Sequence, residues 1–80
     1  MIELYQRETC PYCKPVRERL TELGIRYVNI NVSKDRSKRE TMVAVTGTHF
    51  IPALVDGDVV IAGCLEDCSH VLEYIDAKYG

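Results

Sequence analysis

Four cysteines carry the residue types in this chain best suited to chemistry, and their spacing sorts them into two pairs, Cys10-Pro11-Tyr12-Cys13 and Cys64-x3-Cys68. In a small chain without a secretory signature, such thiols point to redox or metal chemistry before a structural disulfide framework. If Cys10 caps a helix that begins at Pro11, the missing N–H of Pro11 costs nothing, and the N–H of Cys13 points back at the cap side chain. The free donors and the positive helix end then favour a thiolate at Cys10, and Arg7 and Lys14 add positive charge. Cys10 is therefore the candidate nucleophile. Cys13, one turn inward, is near enough to close a disulfide and better shielded, as suits a resolving thiol that attacks a mixed disulfide. Pro15 cannot donate to the carbonyl of Pro11, so the first turn is expected to be loosened or kinked.

Zinc is the competing use of four thiolates, but a zinc knuckle wants a tight turn around each pair. Here Lys14 and Pro15 lead into an amphipathic helix, and the Cys64/Cys68 pair is expected to open another. Cys68 falls on an apolar stripe, where core packing is its simplest role, and Cys64 is expected to present its backbone more than its sulfur. His49 and His70 have no ligand spacing with one another and read as surface or packing residues. Glu66 and Asp67 favour the start of the last helix without a catalytic part.

Patterning supplies the elements that must position these residues. Ile2–Gln6 alternates as a strand, and Val16, Leu20 and Leu23 mark one face of a helix from Pro11 to Leu23 with Gly24 at its end. Val28, Ile30 and Val32 alternate through a second strand, predicted parallel to the first. Ser33 or Asp35 can cap a second helix that runs to about Val45, buries Met42 and Val45, and stops at Gly47. Asp56-Gly57-Asp58 between Ala53–Val55 and Val59–Ala62 predicts an antiparallel hairpin. Leu65, Cys68, Leu72, Ile75 and Tyr79 predict a closing amphipathic helix. The predicted fold is α/β, in the order βαβαββα, with a four-stranded mixed sheet and three helices.

The 80 residues are expected to form one domain, 1–80, with room for a single core and a shallow site. A composition of 46% hydrophobic and 28% charged residues excludes a disordered or collagen-like chain. With a formal charge of −2, a nucleic-acid footprint is not expected, and the cluster Lys34, Arg36, Lys38 and Arg39 reads as a solvated helix start. No apolar run nears the ~20 residues of a membrane span, and the first residues lack the regions of a secretory signal. A cytoplasmic monomer is expected. Asn31-Val32-Ser33 matches a glycosylation acceptor but lies in a strand and is discounted.

Cys10-Pro11-Tyr12-Cys13 after a strand, Ile51-Pro52 before a strand, and Ala62-Gly63-Cys64 before the last helix together resemble the glutaredoxins over nearly the whole chain. The resemblance implies a thioredoxin-like fold and a Cys10/Cys13 dithiol that reduces protein disulfides or glutathione mixed disulfides. It also implies a cis bond between Ile51 and Pro52 beside the cysteines. Arg7, Tyr12, Ile51, Pro52, Gly63 and Cys64 would bind substrate, with the Cys64 backbone meeting the γ-glutamyl carboxylate at a helix N-terminus. Phe50, Ala62 and Leu65 depart from the family pattern. The implied co-substrate is glutathione, with no metal or resident cofactor, and the partners are disulfide-containing or glutathionylated proteins. Two alternatives stand beside this: a redoxin reduced by a thioredoxin-reductase-type protein or another thiol, and a zinc or iron–sulfur module. The stretch from Ile51 to Asp58 also looks like the N-terminal domain of glutathione transferases, which would need a helical second domain.

Overall fold

Alternation along the first strand divides the two faces of the sheet. The computed structural model describes residues 1–80, with β1 over Ile2–Gln6, α1 over Lys14–Glu22, β2 over Tyr27–Asn31 and a 3-10 turn over Arg36–Lys38. The chain continues through α2 (Glu40–Thr46), β3 (Ala53–Asp56), β4 (Val59–Ile61) and α3 (Ser69–Tyr79). The sheet order is β2-β1-β3-β4, parallel between β1 and β2 and antiparallel at the other two pairings. On one face Ile2, Leu4 and Leu54 pack with Val16 and Leu20 of α1 and Val71 and Ile75 of α3. On the other, Tyr5, Ala53 and Val55 pack with Met42 of α2. The predicted order and mixed sheet are those observed.

Three element boundaries depart from the sequence expectation. Helix α1 begins at Lys14, not Pro11, because Pro15 has no N–H and is accommodated only in the first turn. Residues 10–13 form a turn instead, in which the Cys13 N–H donates to the Cys10 carbonyl at 3.2 Å. Cys13 is thus the N-cap of α1, and its side chain makes no cap bond. The second helix is split at Arg39, and Val45 is exposed while Thr46 takes the buried place, its hydroxyl donating to the Met42 and Thr48 carbonyls. The last helix starts at Ser69 after a turn closed by a bridge between Cys64 and Asp67. Its buried residues are Val71 and Ile75, while Leu72 and Cys68 lie at the margin of the core and Leu65 is outside it.

Polar contacts fix the helices to the sheet. Gln6, at the end of β1 and wholly buried, donates to Asn29 and Asn31 on β2 and accepts from Arg17 of α1. This satisfies a buried amide and joins three elements beneath the cysteine loop. At the opposite end, Asp56 accepts from Tyr74, Lys78 and Tyr79, all on α3, at 2.6–2.9 Å. The Asp56 side chain is only 12% exposed. The Tyr79 hydroxyl and the Lys78 ammonium hold its carboxyl down at about 2.

Gly63 sets the spacing between two loops. A Cβ there would lie 1.8 Å from the Phe50 carbonyl oxygen, a backbone atom that cannot swing aside. The segment before α3 is thereby held against the segment that enters β3, which carries the cis bond between Ile51 and Pro52. Gly24 ends α1 at φ +67 with no atom near its missing side chain, and its own N–H and that of Ile25 donate to the Thr21 and Leu20 carbonyls in a Schellman arrangement.

Two stability measurements follow from these contacts. Gly24→Ala should cost about 1–2 kcal/mol through its left-handed backbone alone, and Gly63→Ala should lower the melting temperature by more, because a fixed carbonyl blocks the methyl group. Equal melting temperatures for the two variants would contradict the close approach. Since the Asp56 pKa is depressed on folding, its contribution is complete above the ordinary carboxylate value of 3.8 and fades as pH falls toward about 2. Asp56→Asn should therefore melt lower than the parent at neutral pH, with the gap closing in that acid window. A gap that stays constant would refute this assignment.

Candidate active site

The first cysteine pair sits where β1 leaves the sheet. The Cys10 N–H donates to the Arg7 carbonyl at 3.1 Å, and the following turn places Cys13 behind it. The two thiols have unlike surroundings. Cys10 is half-buried at an open cleft of about 360 Å³, whereas Cys13 has no exposed surface. Burial pushes the Cys13 thiol up to about 12, and its hydrogen bond to Cys10 acts in the same direction. The Arg7 backbone, whose effect is second only to burial, and the charge of Arg17 pull the other way. Cys13 therefore holds its proton more firmly than an ordinary thiol, directly behind Cys10. The N-cap argument for Cys10 is replaced by this one, since α1 starts four residues later.

The cleft gathers Arg7, Cys10, Tyr12, Ile51 and Cys64 at its lining, while Cys13, Pro52 and Gly63 lie in buried positions behind it. Pro52 and Gly63 act there through backbone shape. Cys64 is not at a helix N-terminus: it is five residues short of α3, in the turn bridged to Asp67. Moreover the Asp67 carboxylate already accepts from the Ser69 N–H at 2.9 Å, so the start of α3 has one of its free donors taken. Anion binding by helix N–H groups at Cys64 is therefore not what the fold offers.

What it offers instead is a wall of cations. Lys34, Arg36 and Arg39 line the cleft with Arg7, so three members of the basic cluster face Cys10 and are not merely a solvated helix start. Arg39 is 5% exposed and clamped between two carbonyls, its Nε donating to Ser33 and its Nη1 to His49, each at 2.7 Å. Burial lowers the Arg39 pKa, with the charges of Arg36 and Arg7 adding to the effect, while the Cys10 and Cys13 sulfurs oppose it. The Arg36 guanidinium stands 5.7 Å from the centre of the Phe50 ring. The clustering of Lys34, Arg36 and Arg39 was visible in the sequence. Its direction was not, because the 3-10 turn that aims it follows no apolar period. Leu65 and Glu66 complete the opposite rim.

The arrangement presents an accessible Cys10 thiol in a cleft lined by cations, which is the geometry thiol exchange requires. No three His, Cys, Asp or Glu side chains are grouped so as to hold a metal ion.

Comparison with known proteins agrees in fold and family. Residues 2–61 match the glutaredoxin family. The chain is 34% identical over 62 residues to an uncharacterised glutaredoxin-like 8.6 kDa protein in the rubredoxin operon of Clostridium pasteurianum, covering 76% of this chain and 83% of that one. A glutathione transferase homologue from Drosophila mojavensis with bound glutathione superposes with a TM-score of 0.84 at 27% identity, over 99% of this chain but 35% of that one. The buckwheat glutaredoxin–glutathione complex, at 24% identity, superposes with a TM-score of 0.73 over 98% of this chain and 71% of that one. The fold is thioredoxin-like, and with the family matched along three-quarters of its length the chain belongs to the glutaredoxins, which are thiol–disulfide oxidoreductases.

Proposed function

We propose that the protein reduces protein disulfides and glutathione mixed disulfides, with Cys10 as nucleophile and Cys13 as resolving thiol. The observation that carries this is the pairing of a cleft-facing Cys10 with a fully buried Cys13 directly behind it in the same turn. The Cys10 thiolate attacks one sulfur of the substrate disulfide, and the other leaves as a thiolate that takes up a proton. Cys13 then gives up its proton and attacks the Cys10 sulfur, releasing the second substrate thiol and leaving a Cys10–Cys13 disulfide. Two electrons pass to the substrate. Two small thiols restore the dithiol and become a disulfide themselves.

Glutathione is the proposed reductant. Its carboxylates suit a cleft lined by Arg7, Lys34, Arg36 and Arg39, and two structural relatives were solved with it bound. The proposed exchange uses no resident metal or organic group, and its proposed setting is a reducing cytoplasm. A second reading, reduction by a thioredoxin-reductase-type protein, draws on the apolar rim: Leu65 is 57% exposed and Tyr12 37%. Such side chains fit a protein surface better than a small charged thiol.

Turnover measured with glutathione and its reductase, and separately with thioredoxin reductase, separates the two. The parent protein should turn over in the first assay, and activity confined to the second would overturn the glutathione reading. Cys10→Ser should lose activity in whichever assay works. Cys13→Ser should still form a mixed disulfide at Cys10, detected by peptide mapping. Full activity in Cys10→Ser would remove Cys10 as nucleophile.

A further inference from the structure

Cys13 has company at Cys10. Cys64 is exposed and lines the same cleft as Cys10, on the solvent side, whereas Cys13 is buried in the protein interior. The position of Cys64 is fixed from both directions. Ahead of it, Gly63 packs directly on the Phe50 carbonyl, and behind it the chain is closed by the Cys64–Asp67 bridge with Glu66 at φ 52. Cys68 does not compete: it is half-buried against the larger core, and burial raises its thiol. The charge of Cys10 adds slightly to that rise.

We propose that Cys64 is a second resolving thiol for Cys10. This rests on Cys10 being the nucleophile. After substrate has become joined to Cys10, the Cys64 thiolate attacks the Cys10 Sγ. The bond from Cys10 to the substrate sulfur breaks, and that sulfur leaves with the electron pair and gains a proton. A Cys10–Cys64 disulfide forms, with the Cys64 sulfur oxidised and the substrate sulfur reduced. Two small thiols then return the pair to the dithiol, as for Cys10–Cys13. The protein thereby has an exit from the mixed disulfide when Cys13 is absent, and this exit lies in the cleft that the substrate itself occupies.

The test compares Cys13→Ala with Cys13→Ala/Cys64→Ser, each given limiting glutathione disulfide and sampled by acid quench and peptide mapping. The same comparison in a Cys13→Ser background guards against a misfolded alanine variant. With Cys64 present, the Cys10–glutathione adduct should decay about tenfold or more faster, as intramolecular attack predicts, and a Cys10–Cys64 linked peptide should appear. Equal adduct lifetimes, or a link from Cys10 to Cys68, would overturn the second resolving thiol and leave Cys10 as nucleophile. Neither adduct nor disulfide at Cys10 in any variant would overturn both readings together.

Discussion

Burial of the Cys13 sulfur beneath Cys10, where the chain leaves β1 and has not yet become α1, is what the remainder of the site depends on. Without exposed surface Cys13 keeps its proton, so the only thiol of the pair that meets a solvent-borne disulfide is Cys10. The burial is itself a product of the fold. Gln6 at the end of β1 ties β2 and α1 together immediately below the loop, and Val16 and Leu20 draw α1 onto the sheet. Because Pro15 holds back the helix start, the cysteines occupy a turn, with Cys13 capping the helix and Cys10 out at the cleft.

The second half of the chain builds the wall opposite. The cis Ile51–Pro52 segment and the segment at Gly63 are in backbone contact, which brings Ile51 and Cys64 to one side of Cys10. Arg39, pinned by two carbonyls and buried, supplies charge that solvent screens weakly, whereas Lys34 and Arg36 add it from exposed positions. Under the proposed function, a nucleophilic Cys10 sulfur amid these cations suits disulfides with acidic surroundings, glutathione disulfide among them. The apolar rim of Tyr12 and Leu65 adds contact area of a kind suited to a protein.

Much of this was legible in the sequence, and the parts that were not share a cause. Periodicity identified all four strands and three helices because burial on one face repeats at 2 or 3.6 residues. It placed the stripe of α3 on Leu72 where Val71 is buried, since both residues are apolar and only packing against α1 distinguishes them. It ran the second helix through Arg39, where the backbone breaks so that the guanidinium can reach the Ser33 and His49 carbonyls. A long-range contact of this kind leaves no local period. The spacing of Cys10 and Cys13 revealed the exchange chemistry, yet the helix-cap reasoning attached to it gave way to burial, because one proline moved the start of the helix. Cys64 stood out as half of a Cys64-x3-Cys68 pair and as a match to a family pattern, but its place in the cleft comes from Gly63, whose role depends on a neighbour thirteen residues earlier in the chain.

The central claim is the unequal reactivity of two thiols three residues apart. Alkylation of the reduced, folded protein with iodoacetamide over a series of pH values, followed by peptide mapping, measures it directly. The account predicts that Cys10 is modified near neutral pH while Cys13 is spared until the protein is unfolded or the solution is strongly alkaline. Modification of Cys13 as readily as Cys10 at neutral pH in the folded protein would contradict it.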